Sequence, residues 1–272
     1  MERKHVRIII VGVAICVAIV RFSQKIEIKE QLFKKFSVLV PEKELLTDLS
    51  AATVVLSLAQ KKSKKLYQKY NGSELLQDCL YKMSMAVVPQ KVSLNRLQDH
   101  CDACYFTKLF EYKKPVELSQ TFLDRNISRE VIESIQHPQE ALLCWVCLES
   151  LRFTHPDYFK TLEQEQQGLE ALIKMHHILY GYLLTHIILY DVQFGQKEPT
   201  KKSYDAFKKL KQYAYTLQIS EQNKDLIAEI ILCKNLLHRK IKKWEDNATQ
   251  LLISKKEFRD FHERCACVAA FL

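Results

Sequence analysis

Five glycines in 272 residues limit this chain more than any other feature. Tight turns between strands need positive φ, and glycine is the residue that adopts it without strain. Average usage would supply roughly 19 glycines in a chain of this length. An all-β fold is therefore excluded, and glycine-rich phosphate loops are excluded with it. Six prolines leave no room for collagen-like or proline-rich linker architectures. The chain is still 47% hydrophobic and 27% charged, the balance of a sequence that buries a core. Helices joined by short connections remain.

Apolar residues recur at i, i+3, i+4 and i+7 almost throughout. Pro41 opens a helix carrying Leu45, Leu46, Leu49, Ala52, Val55, Leu56 and Ala59 on one side, which ends near Asn71-Gly72. Ser73 starts the next, closed by Pro89, and Ser93 caps another that runs toward Tyr112 and stops at Pro115. Residues 116–137 hold short pieces, with Ser128 and Glu130 near a start. Pro138 opens a strongly apolar helix through Leu151, and His155-Pro156-Asp157 makes a turn and cap. Residues 158–190 form one long helix or two broken near Gly168 or Gly181, ending at Phe194-Gly195. Three more helices follow, over 200–217, 221–240 and 254–272. The pattern predicts one all-α domain over 25–272, roughly ten to twelve helices in antiparallel pairs, as an irregular bundle or a helical-repeat solid. The last helix ends Val268-Ala-Ala-Phe-Leu272, so it packs against the body or the chain is cut short.

Residues 1–24 stand apart. A basic start precedes an apolar run from Ile8 to Val20, shorter than the about 20 residues of a bilayer span. No small-x-small cleavage site follows. The run reads as a buried first helix, with a membrane anchor through residues 8–20 as the alternative.

Lysine and arginine total 41 against 32 acidic residues, a formal charge of +9. Such a charge favours acidic partners or anionic surfaces. The lysines at 34–35, 61–65, 201–202 and 208–211 are scattered among acids, though, and read as solvated helix faces. No basic block with interleaved aromatics occurs, so nucleic acid is not an expected partner. Nine cysteines, an odd number in a long chain, do not form a disulfide framework and favour a reducing, cytoplasmic setting. Two C-x-x-C pairs, Cys101/Cys104 and Cys144/Cys147, invite a zinc reading. Both lie in continuous helical patterns without the turn that a zinc knuckle needs, which favours core thiols.

Three segments carry candidate chemistry. On a helix, Tyr182, His186 and Tyr190 share a face at four-residue spacing, with Thr185 beside His186 and Asp191 beside Tyr190. A hydroxyl and a carboxylate are the groups that fix an imidazole tautomer, so His186 can serve as general base, ligand or clamp. Asp225 and Glu229 stand one turn apart within Leu226, Ile227, Ile230, Ile231 and Leu232, where acids are unusual unless paired. His262 precedes the last apolar run. If these segments line one cavity, they make an acid–base or metal constellation. Spacing alone assigns neither a metal nor a cofactor.

The segment Tyr182-x-x-Thr185-His186-x-x-x-Tyr190-Asp191-x-x-Phe194-Gly195 resembles a motif of an uncharacterised all-helical bacterial family, one of the domains of unknown function. Asp225-Leu-x-x-Glu229 and the aromatic-His262 helix fall where that family also places an Asp/Glu helix and a histidine. The resemblance covers roughly residues 140–272 and implies an α/α-toroid or helical-repeat architecture, without a defined activity. The chain departs where an aromatic-x-x-Asp-Phe-Gly ending is expected, which leaves any inherited role of Asp191 open. The leading expectation is binding of a small molecule or peptide in a central cavity lined by His186, Tyr190, Asp225, Glu229 and His262, with Thr185 orienting His186. The alternative is a non-catalytic scaffold that holds a protein partner on a helical surface.

Overall fold

The computed structural model describes residues 26–254 and 258–272. The apolar run 8–20 lies outside them, and no helix among the described residues is long and apolar enough to cross a membrane. The described residues are mostly helical and contain no strand. Residues 26–39 form α1. It is followed by α2 (Leu46–Lys62), α3 (Lys64–Lys69), α4 (Gly72–Ser84), α5 (Leu94–Leu109), α6 (Gln120–Asn126), α7 (Arg129–Glu133) and α8 (Pro138–Thr154). Then come α9 (Pro156–Lys160), α10 (Glu163–Lys174), α11 (His177–Asp191), α12 (Lys201–Ala214), α13 (Lys224–Leu236), α14 (Trp244–Ser254) and α15 (Phe261–Phe271).

The helices sort by sequence pattern. Those apolar nearly all round, α2, α8, α11, α13 and α15, are buried on most sides, as such a pattern requires. Those with one apolar stripe lie outside. Helix α12 buries Ala206, Phe207, Leu210, Tyr213 and Ala214 and exposes Lys201, Lys202, Lys208, Lys209 and Lys211. Packing runs α2 to α5, α5 to α8, α8 to α11, α11 to α13, α13 to α15, and from α15 back to α2. The inner helices thus close a ring. Helix α4 backs α2, α10 backs α8, α12 backs α11 and α14 backs α13. The apolar end of the chain belongs to this closure, with Val268, Ala269 and Ala270 buried.

Several boundaries differ from the sequence expectation. Pro41 sits in a short 3-10 turn, Val40–Glu42, and the helix proper begins at Leu46. Pro156 opens a one-turn helix rather than merely capping a turn. Residues 158–190 are broken twice, at Thr161-Leu162 and at Met175-His176, where the His176 Nδ1 accepts from Leu179 N at 3.4 Å and starts α11. Both glycines expected to break the helix lie inside helices. Gly181 is there because a Cβ at that position would lie 2.6 Å from the Tyr213 ring, so its absence brings α11 and α12 together. Gly181→Leu is expected to lower stability by about 1–3 kcal/mol, since overpacking outweighs the gain in helix propensity. A urea titration that left the variant at or above wild-type stability would refute this reading. Helix α14 went unpredicted; its buried Trp244, Ala248 and Leu252 make too sparse a stripe to stand out.

Candidate functional site

Three inner helices build the site. Helix α11 presents Tyr182, Thr185 and His186, and α13 presents Asp225 and Glu229 one turn apart. Helix α15 begins at an Asp260 cap, whose carboxylate accepts from Glu263 N at 2.8 Å, and this places His262 in the first turn. A buried ion pair holds α15 against α13. The Lys224 Nζ, fully buried, lies 3.4 Å from Glu263 Oε1 and 4.6 Å from the Phe258 ring centroid. Arg259 donates to the other Glu263 oxygen at 2.5 Å.

His186, Glu229 and His262 line one cavity of about 90 Å³, walled by Ala51, Val54, Val55, Leu232, Ala266 and Ala269. The convergence that the sequence leaves open is therefore present for these three side chains. Asp225, expected from sequence to line the cavity, is not part of its wall but stands beside it: one ligand atom from each of Asp225, Glu229 and His262 lies within 4.8 Å of the others. Thr185 stands behind Glu229 and donates to Oε2 at 2.5 Å, while the Tyr182 hydroxyl donates to Asp225 Oδ2 at 3.0 Å. Thr185 therefore orients Glu229, where sequence pointed to His186.

Burial dominates the electrostatics. It pushes Glu229 up to about 8, reinforced by the Asp225 charge and opposed by the Thr185 hydroxyl. Asp225 is also raised by burial, against the pull of His262 and the Tyr182 hydroxyl. Burial and repulsion from His262 lower His186 to about 4. The buried His186 Nδ1 has no partner at good hydrogen-bond geometry, although the nearby Tyr182 carbonyl slightly favours the protonated ring. At neutral pH the site thus sets a neutral imidazole beside a carboxyl group that tends to keep its proton. Such a pair can accept and donate a proton on opposite sides of a small ligand.

Tyr190 and Asp191 do not join this site. The Tyr190 hydroxyl donates to Asp102 Oδ1 at 3.2 Å and lies 3.1 Å from Ser150 Oγ, tying α5, α8 and α11 together. Asp191 accepts from Thr200 N at 3.1 Å, from Thr200 Oγ1 at 2.7 Å and from Ser203, which anchors the start of α12. Its role is in the loop rather than in the cavity. The C-x-x-C thiols are buried in the interiors of α5 and α8. Burial raises Cys104 to about 11 and Cys144 to about 12, as for unreactive core thiols.

Sequence reasoning missed Lys224 and Asp102. The available signal was a charged residue in an otherwise apolar helix, the same signal that singled out Asp225 and Glu229.

No family model, curated protein or solved structure matches this chain. The resemblance of residues 140–272 to a helical bacterial family rests on its motif residues alone.

Proposed function

We propose that this chain binds a small molecule in the cavity between α2, α11, α13 and α15. The observation that carries this reading is the convergence of two imidazoles and a buried carboxylate, from helices far apart in sequence, on one cavity of about 90 Å³. Ligand sites are commonly apolar hollows with a few convergent polar groups, and this one has that composition. Its size suits a handful of heavy atoms and favours a small molecule over a peptide. The apolar body of the ligand lies along Ala51, Val54, Leu232 and Ala269, and its polar end meets Glu229, His186 and His262.

Ala269→Leu fills the hollow without touching the polar wall. In thermal-shift assays with short alcohols, amides, amines, carboxylates and imidazole, some members are expected to raise the wild-type Tm and to leave Ala269→Leu unmoved. A panel that shifts neither protein, or both equally, refutes the assignment.

A further inference from the structure

Two buried carboxylates one helical turn apart repel unless a proton or cation lies between them. Asp225 and Glu229 are 9% and 6% exposed. Their hydroxyl partners satisfy one oxygen of each: Tyr182 holds Asp225 Oδ2 at 3.0 Å and Thr185 holds Glu229 Oε2 at 2.5 Å. The remaining Asp225 oxygen, Oδ1, is buried and has no hydrogen-bond partner. A ligand atom of His262 lies within 4.8 Å of both carboxylates. Bonds of about 2.0–2.2 Å around a tetrahedral zinc ion set its ligands roughly 3.4 Å apart. A rotation of the exposed His262 ring and small carboxylate shifts close that difference.

We propose that Asp225, Glu229 and His262 bind one divalent transition-metal ion of the zinc class, with a coordination position open to the cavity. The donor set fixes the class. Imidazole with carboxylates suits zinc, iron(II) or manganese(II), whereas calcium and magnesium sites are built from oxygen alone. Tyr182 and Thr185 are the outer hydroxyls that orient carboxylate ligands in such sites. His186 lines the same cavity as a further imidazole donor. The inference rests on the cavity being the ligand site, and it makes the ligand a lone-pair donor able to complete the metal's coordination.

Cobalt(II) is the probe, added to the full chain after chelator treatment. One equivalent is expected to bind, with d–d absorption from nitrogen and oxygen ligands, no thiolate charge transfer, and displacement by zinc. His262→Ala and Glu229→Gln are each expected to weaken binding at least tenfold, and Thr185→Val by about 10–100-fold. His262 is exposed and Gln keeps the shape of Glu, so circular dichroism should report an intact fold in those variants. Absence of bound cobalt, a thiolate band, or unchanged affinity in His262→Ala and Glu229→Gln overturns the metal site. Cobalt binding and the organic panel together separate the two readings. Cobalt binding with no response to the organic panel removes the small-molecule reading alone, and a panel response without cobalt binding removes the metal alone.

Discussion

Asp102→Asn is expected to make the protein more stable at pH 8 and to leave it unchanged near pH 4. Asp102 is buried where α5, α8 and α11 meet, and burial pushes its carboxyl up to about 7, although the Tyr190 hydroxyl pulls the other way. Between its ordinary 3.8 and about 7, the folded state holds a proton that the unfolded chain has released. Stability contributed by that proton is present at low pH and is lost as pH rises through this window. The loss amounts to at most about 4 kcal/mol, from about three pKa units at 1.36 kcal/mol each. Asparagine keeps the acceptor for Tyr190 and Ser150 and cannot ionise. Urea unfolding of both proteins from pH 4 to 8 isolates the effect, because Glu229 and Asp225 contribute equally to each. A stability difference that stays constant across that range would show that Asp102 does not carry the dependence.

Lys224→Ala is expected to cost about 3–5 kcal/mol, the usual result of removing one partner from a buried pair. The lysine is fully buried and Glu263 only 2% exposed, so the truncation leaves a void beside a carboxylate held by Arg259 alone. Lys224→Met keeps the stem and should lose less. The double variant Lys224→Met/Glu263→Gln should recover part of the loss, since the buried Glu263 charge is then removed together with its partner, while Glu221, 3.8 Å from the lysine, still loses one contact. Thermal and urea unfolding of the three variants decide it. A loss under about 1 kcal/mol in Lys224→Ala would mean that the α13–α15 contact is held by apolar packing instead.

Much of this architecture is legible in the sequence, for identifiable reasons. Glycine scarcity and the helical period specify an all-α fold, and the apolar tail from Val268 onward points to its burial. The pairing of Asp225 with Glu229 is legible because both lie one turn apart on a single helix. The meeting of His186, Glu229 and His262 is not, because it depends on how α11, α13 and α15 pack, and periodicity within one helix carries no information about its neighbours. Tyr190 shows the limit from the other side. It shares a helix face with His186, yet at one turn's distance it faces α5 and α8 and bonds Asp102 rather than a ligand. Lys224 and Asp102 were missed because a buried charge is recognised by its partner, and Glu263 and Ser150 lie 39 and 48 residues away.

The return of α15 to α2 also bears on how and when the protein acquires its site. Contacts between segments some two hundred residues apart form late, because the intervening chain must first be ordered. The cavity takes walls from both ends of that interval, Ala51 to Val55 on one side and His262 to Ala269 on the other. During synthesis, the first ten helices can emerge and collapse before this cavity exists. The cavity therefore takes shape only once α15 has returned to α2.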